Sequence, residues 1–218
     1  MKKAVAILTA ILLLSIGCLE KKDKNPPYLK MIVSGSEGNN GWYVSNVTVF
    51  LNATDNESKI KELKYRTNGG TWFDYVMPVK LQKDGIYLLE CYAKDGSGNE
   101  KYVNMTIKID KTAPSISFLN FEPGYIYFRG KKFITPRIPR DTMVIGKYTV
   151  EVEASDALSG LEKVEFYIGD SLEGEKESAP FEFDLHGIGI YNITAVAYDY
   201  AGNYNSVSVL EVQLFIRS

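Results

Sequence analysis

Apolar and polar residues alternate with a period of two over many short stretches of this chain. In Val47–Ala53, Val47, Val49, Leu51 and Ala53 alternate with Thr48, Phe50 and Asn52. That is the pattern of a strand with one buried face. Tyr87, Leu89, Cys91 and Ala93 alternate in the same way with Leu88, Glu90, Tyr92 and Lys94. Tyr28–Val33, Ile60–Arg66 and Tyr102–Ile109 read as further strands. Asn68-Gly69 offers a positive-φ turn leading into Trp72 and Phe73. Beyond an apolar run at the N-terminus no helical stripe recurs. About seven short strands per hundred residues, spaced by turn signals, predict an all-β chain of β-sandwiches.

The pattern is written twice. Val-Thr-Val-Phe-Leu-Asn-Ala-Thr-Asp ends at Asp55, and Tyr-Thr-Val-Glu-Val-Glu-Ala-Ser-Asp ends at Asp156. Gly-Ile-Tyr recurs at 85–87 and 189–191, followed by Asp95-Gly-Ser-Gly-Asn99 and Asp199-Tyr-Ala-Gly-Asn203. A repeat of this length predicts two tandem domains, 28–112 and 113–218. The segment 108–115 is the joint, and Pro114 favours an extended entry into the second domain. The second copy carries an insertion at 121–142, in which 125–128, 129–132 and 133–135 together read as an extra hairpin.

The first 17 residues combine Lys2 and Lys3 with an apolar run, Ala4–Gly17, too short for a comfortable membrane span but suited to a signal peptide. Gly17-Cys18 at its end resembles the lipobox of prokaryotic lipoproteins, with Ser15 departing from the usual Leu. The resemblance implies cleavage before Cys18, lipid on its thiol, and attachment to the outer face of the cell membrane. Residues 18–27, charged and then Pro-stiffened, read as a tether.

Composition narrows the chemistry. A net charge of −2 over 218 residues gives no footing for nucleic-acid binding. Of the two cysteines, Cys91 falls opposite Ala195 in the repeat and reads as a small apolar core residue. The single His186 has no adjacent nucleophile, and no metalloprotease, nucleophile-elbow or phosphate-loop motif occurs. No catalytic residue and no organic cofactor are expected.

Asp55, Asp95, Asp156 and Asp199 each end a strand. In a sandwich of this kind those strands run to the pole that meets the incoming chain, so Asp110 in the joint is expected to converge with Asp156 and Asp199. Three carboxylates there suit a calcium ion; the competing reading is that each Asp caps its own turn. Tyr87 and Tyr191 fit a tyrosine corner loosely. In the insertion Arg129, Lys131, Lys132, Arg137 and Arg140 lie among Tyr125, Tyr127, Phe128 and Phe133. They are candidate contacts for an anionic ligand, or a Lys-protected sheet edge. Asn46, Asn52, Asn56, Asn104 and Asn192 begin glycosylation sequons, and Asn46, Asn52 and Asn192 are expected on outward strand faces. Trp42 and Trp72 are expected to be exposed and able to stack on sugar rings.

Taken together, Trp42-Tyr43-Val44-Ser45, the Asp-Gly-Ser-Gly-Asn and Asp-Tyr-Ala-Gly-Asn turns, Ile-Asp-Lys-Thr-Ala-Pro and Ala-Pro-Phe resemble the Ig-like repeats of prokaryotic cell-surface proteins over most of 28–215. Lys59, where the second copy has Gly160, departs from the pattern. The resemblance implies a structural, adhesive or protein-binding display element with a surface protein or polysaccharide as partner. A carbohydrate-binding accessory module is the alternative.

Overall fold

The computed structural model describes residues 22–134 and 141–217. Cys18, Arg137 and Arg140 lie outside them. The described chain is all-β. The first sandwich contains β1 (Tyr28–Ser34), β2 (Trp42–Tyr43), β3 (Val47–Thr54), β4 (Ile60–Thr67), β5 (Phe73–Asp74), β6 (Val79–Leu81), β7 (Gly85–Asp95) and β8 (Glu100–Ile109). The second contains β9 (Ser115–Phe118), β10 (Tyr125–Phe128), β11 (Lys131–Ile134), β12 (Met143–Ile145), β13 (Thr149–Ser155), β14 (Leu161–Ile168), β15 (Ser171–Lys176), β16 (Phe181–Asp184), β17 (Gly187–Asp199) and β18 (Tyr204–Ile216).

In the first sandwich the sheet β1-β3-β6 packs on β2-β8-β7-β4-β5; in the second, β16-β13-β9 packs on β11-β10-β12-β18-β17-β14-β15. The alternation sets which residues meet between the layers. Val47, Val49 and Leu51 from one sheet face Leu89, Cys91, Ala93, Ile107 and Ile109 from the other, all buried. Val150 and Val152 face Val164, Phe166, Ala195, Ala197 and Leu214 in the second. Cys91 and Ala195 are both fully buried, and burial pushes the Cys91 thiol up to about 12, so it stays protonated.

The duplication extends to fine structure. The Tyr87 hydroxyl donates to the Lys83 carbonyl at 2.8 Å, and that of Tyr191 to Ile188 at 3.2 Å, upstream in both cases. A short strand pairs in parallel with the last strand in each domain, β2 with β8 and β12 with β18. In the second domain β12 also pairs in parallel with β10, and the hairpin β10–β11 widens that sheet by two strands. Lys59 and Gly160 make the same contact despite their difference: the Lys59 carbonyl accepts from Gly96 N at 2.8 Å, and that of Gly160 from Tyr200 N at 2.9 Å. Only Gly160 needs positive φ, +90°.

Candidate functional site at the interdomain joint

Asp110, Asp156 and Asp199 come together at the pole where the second sandwich receives the chain. One carboxylate oxygen from each lies within 4.8 Å of the others. Asp110 and Asp199 are fully buried. Asp199 ends β17 and accepts Asn203 N and Asn203 Nδ2, both at 2.8 Å. Asp156 Oδ2 accepts from Leu158 N and Gly160 N at 2.9 and 2.8 Å. Asp110, which follows β8 of the first sandwich, reaches across: its Oδ2 accepts Ser159 N at 3.0 Å, and its carbonyl accepts Asn203 Nδ2 at 3.1 Å. Each Asp caps a turn, and the three carboxylates also converge at one pole.

The first sandwich has the same pole, with a member the sequence reading overlooked. Asp23, Asp55 and Asp95 also offer oxygens within 4.8 Å of one another. Asn99 donates N and Nδ2 to Asp95 at 2.8 Å each, and Nδ2 to the Asp23 carbonyl at 3.3 Å. Asp23 in turn accepts Asn25 N and Ser58 Oγ, at 2.8 and 2.9 Å. Burial pushes the Asp95 carboxyl up, but the Asn99 side chain and the backbone N–H groups of Asn99, Gly98 and Ser97 outweigh it and hold it below the usual range. The end of the expected tether is therefore docked on the domain from Asp23 onward. The signal was present in the sequence: Asp23-Lys24-Asn25-Pro26-Pro27 runs parallel to Asp110-Lys111-Thr112-Ala113-Pro114.

A second set of contacts locks the joint. The loop before β2 clasps the Tyr200–Gly202 turn of the second domain: Asn39 N donates to the Ala201 carbonyl at 2.8 Å, and Asn40 Nδ2 to the Tyr200 carbonyl at 2.9 Å. The approach requires Gly38, because a Cβ there would stand 2.3 Å from the Ala201 oxygen. Trp42 anchors this loop. It is 6% exposed, with Lys108 Nζ 5.1 Å from its ring centroid, which corrects the expectation of a solvent-facing indole. The loop closes on itself through Gly38 N to Trp42 O and Trp42 N to Asn39 O, which turns the ring inward. Below the clasp a cleft of about 270 Å³ is lined by Asp84, Asp110, Thr112, Ser155 and Asp156. Asp84 Oδ2 accepts from the Thr112 hydroxyl at 2.7 Å and Lys111 N at 3.2 Å, while Lys111 Nζ stands 3.5 Å from Oδ1. Burial pushes the Asp84 carboxyl up, and those donors together with the Lys111 charge hold it below its ordinary value.

The remaining candidates are dispersed. Trp72 is half-buried on the outer face of β4, β7 and β8, with the Arg66 guanidinium 4.6 Å from its centroid. Arg66 is fixed by two 2.8 Å bonds to Glu90. Tyr92 and Tyr102 lie 6.0 and 6.4 Å from Trp72 at 60° and 68°, so the rings share no plane. In the insertion Arg129 and Lys131 are exposed, but Lys132 is held by Glu122 at 2.9 Å and sits 3.8 Å from the Tyr125 centroid. Tyr127 is fully buried and belongs to the core rather than to a ligand surface. Asn46, Asn52, Asn56, Asn104 and Asn192 are all exposed. His186 is exposed, 3.2 Å from Glu173. Among the described residues no helix is long and apolar enough to cross a membrane.

The chain is similar to known proteins at the level of this fold. The bacterial Ig domain family matches residues 138–209, within the second sandwich. No curated protein matches the chain. Among solved structures it is similar to the fibronectin(III)-like modules of Clostridium thermocellum CbhA, with 13% identity, a TM-score of 0.41 and 86% of this chain and 94% of that one covered. It is also similar to carbohydrate-binding modules from the beta-sandwich super family (12%, TM-score 0.37, 87% and 86% covered). A third is Bacteroides ovatus SGBP-B in complex with a mixed-linkage heptasaccharide (11%, TM-score 0.31, 89% and 71% covered). The chain is built of Ig-like β-sandwich domains.

Proposed function

We propose that this chain is a non-catalytic, exported display element, tethered to the outer face of the membrane by lipid on Cys18. In this reading its two Ig-like modules hold a surface at a fixed distance and angle for a surface partner. The observation that carries the reading is the clasp of the Gly38–Asn40 loop on the Tyr200–Gly202 turn, because a spacer is useful only if its joint resists bending. Calcium at Asp110, Asp156 and Asp199 fits the same role. Two oxygens on opposite sides of a calcium ion stand roughly 4.8 Å apart, and the carboxylates keep lone pairs beyond those given to the turns.

The test is small-angle scattering of the full chain beside Gly38→Val, with and without millimolar calcium. A rigid spacer gives one maximum dimension that the variant broadens; an equally broad wild-type profile sinks the reading. A wild-type chain that takes up no labelled fatty acid in cells would refute lipid anchoring. The second reading, polysaccharide binding, is favoured by Tyr102, 60% exposed beside Trp72. Glycan-array binding abolished by Trp72→Ala would establish it over the first.

A further inference from the structure

Two solvent-facing rings of the first sandwich stand where the second copy has none. Phe50 on β3 and Tyr102 on β8 are 43 and 60% exposed. The matching positions of the second sandwich are Glu151 and Ser206, both exposed, so the fold does not ask for a ring at either. Two residues further along each strand, on the same face, the first sandwich has Asn52 and Asn104 where the second has Glu153 and Ser208. Ring and asparagine thus occur together twice, on opposite sheets. Each asparagine opens a sequon, Asn52-Ala53-Thr54 and Asn104-Met105-Thr106, whose Asn and Thr are exposed.

The surroundings suit a bulky substituent. The ladder with β6 ends at Val49 and that with β2 begins at Lys108, so among the described residues both sequons lie along an open sheet edge. The Asn52 and Asn104 side-chain amides carry no hydrogen bond there. Asn46 and Asn192, by contrast, accept Lys111 Nζ at 3.0 Å and Glu211 N at 3.1 Å. Asn46, Asn56 and Asn192 also lack a ring two residues earlier, where Val44, Thr54 and Ile190 stand. Tyr102 is braced by Tyr92, with centroids 4.8 Å apart, and its hydroxyl donates to Glu100 at 3.5 Å. Cα atoms two residues apart on a strand are separated by about 7 Å. A sugar on the Asn amide can therefore lie over the preceding ring, its C–H face against the π face.

We infer that Asn52 and Asn104 are glycosylated through their amide nitrogens, with the first sugars seated on Phe50 and Tyr102. The inference rests on the export reading above, because the donor is a lipid-linked oligosaccharide at the outer face of the membrane. In the transfer the amide nitrogen bonds to sugar C1 and the C1–O bond to the lipid phosphate breaks. The phosphate leaves with the electron pair, and the amide proton passes to a base. The ring that favours polysaccharide binding is then covered by the chain's own sugar.

Glycopeptide mass spectrometry of the full chain from the cells that make it tests this, with protease treatment of intact cells to score export. Sugar is expected on Asn52 and Asn104, with less on Asn46, Asn56 and Asn192. Asn104→Gln should lower the melting temperature of the glycosylated chain, and that loss should vanish in a Tyr102→Ala background. The same holds for Asn52→Gln with Phe50→Ala. Chain made in cells lacking the transferase should lose nothing on Asn104→Gln. An exported chain bare at either asparagine overturns the inference and leaves the export reading standing; a bare chain that protease cannot reach overturns both. A melting temperature unmoved by Asn104→Gln, or lowered equally in Tyr102→Ala, overturns the seating.

Discussion

The two acidic poles share the Asp–Asn turn and the approach of the preceding chain, yet among the described residues only the second is gripped by a neighbouring domain. Asn99 and Asn203 each bridge their turn Asp to the carbonyl of the incoming Asp. The difference lies outside the shared parts. A Cβ on Gly202 would meet Asn39 of the first sandwich at 3.1 Å, whereas one on Gly98 would meet nothing within 4 Å. The turn is thus a self-sufficient feature of the module, and the joint is an addition laid over it by the loop at 36–41.

That contrast can be broken most severely at the pole itself. Asp199→Ala takes the acceptor from Asn203 N and leaves Asn203 Nδ2 only the Asp110 and Thr112 carbonyls; it is expected to cost about 3 kcal/mol, read as a lower urea midpoint for the second domain. Gly38→Val should come next: about 1–3 kcal/mol of overpacking, with the scattering profile broadening while each sandwich keeps its circular dichroism. The cleanest comparison is Gly202→Ala against Gly98→Ala. Their φ values, +96° and +95°, impose the same backbone penalty, so the difference in melting free energy, about 0.5–1 kcal/mol, reports the clasp alone.

The smallest effect is in acid. The folded value of Asp95 is depressed, so its contribution is present above the unfolded value near 3.9 and is lost as pH falls through the folded one. The acid limb below about pH 4 should therefore shallow in Asp95→Asn; an unchanged limb would mean the turn does not favour the ionised form.

Much of this was legible in the chain because alternation and repetition are local signals. Val47 to Ala53 and Tyr87 to Lys94 specify which faces meet, and the repeated Asp positions specify the pole. Asp110 could be placed with Asp156 and Asp199 because a sandwich sends the relevant strands to one end. Asp23 escaped notice because a charged, Pro-rich stretch has the composition of a linker, although its order of residues matches the joint. Trp42 was misplaced for another reason. A Trp at the start of a two-residue strand carries no periodicity, and its burial depends on a loop closing over it through Gly38 and Asn39.

Asp110 follows the last strand of one sandwich and completes the pole of the next. The heritable unit in this architecture therefore starts at the aspartate ahead of the first strand. Copying the stretch from Asp23 to Ile109 carries along the carboxylate that seats such a unit on its predecessor, so adding a domain requires no newly invented joint.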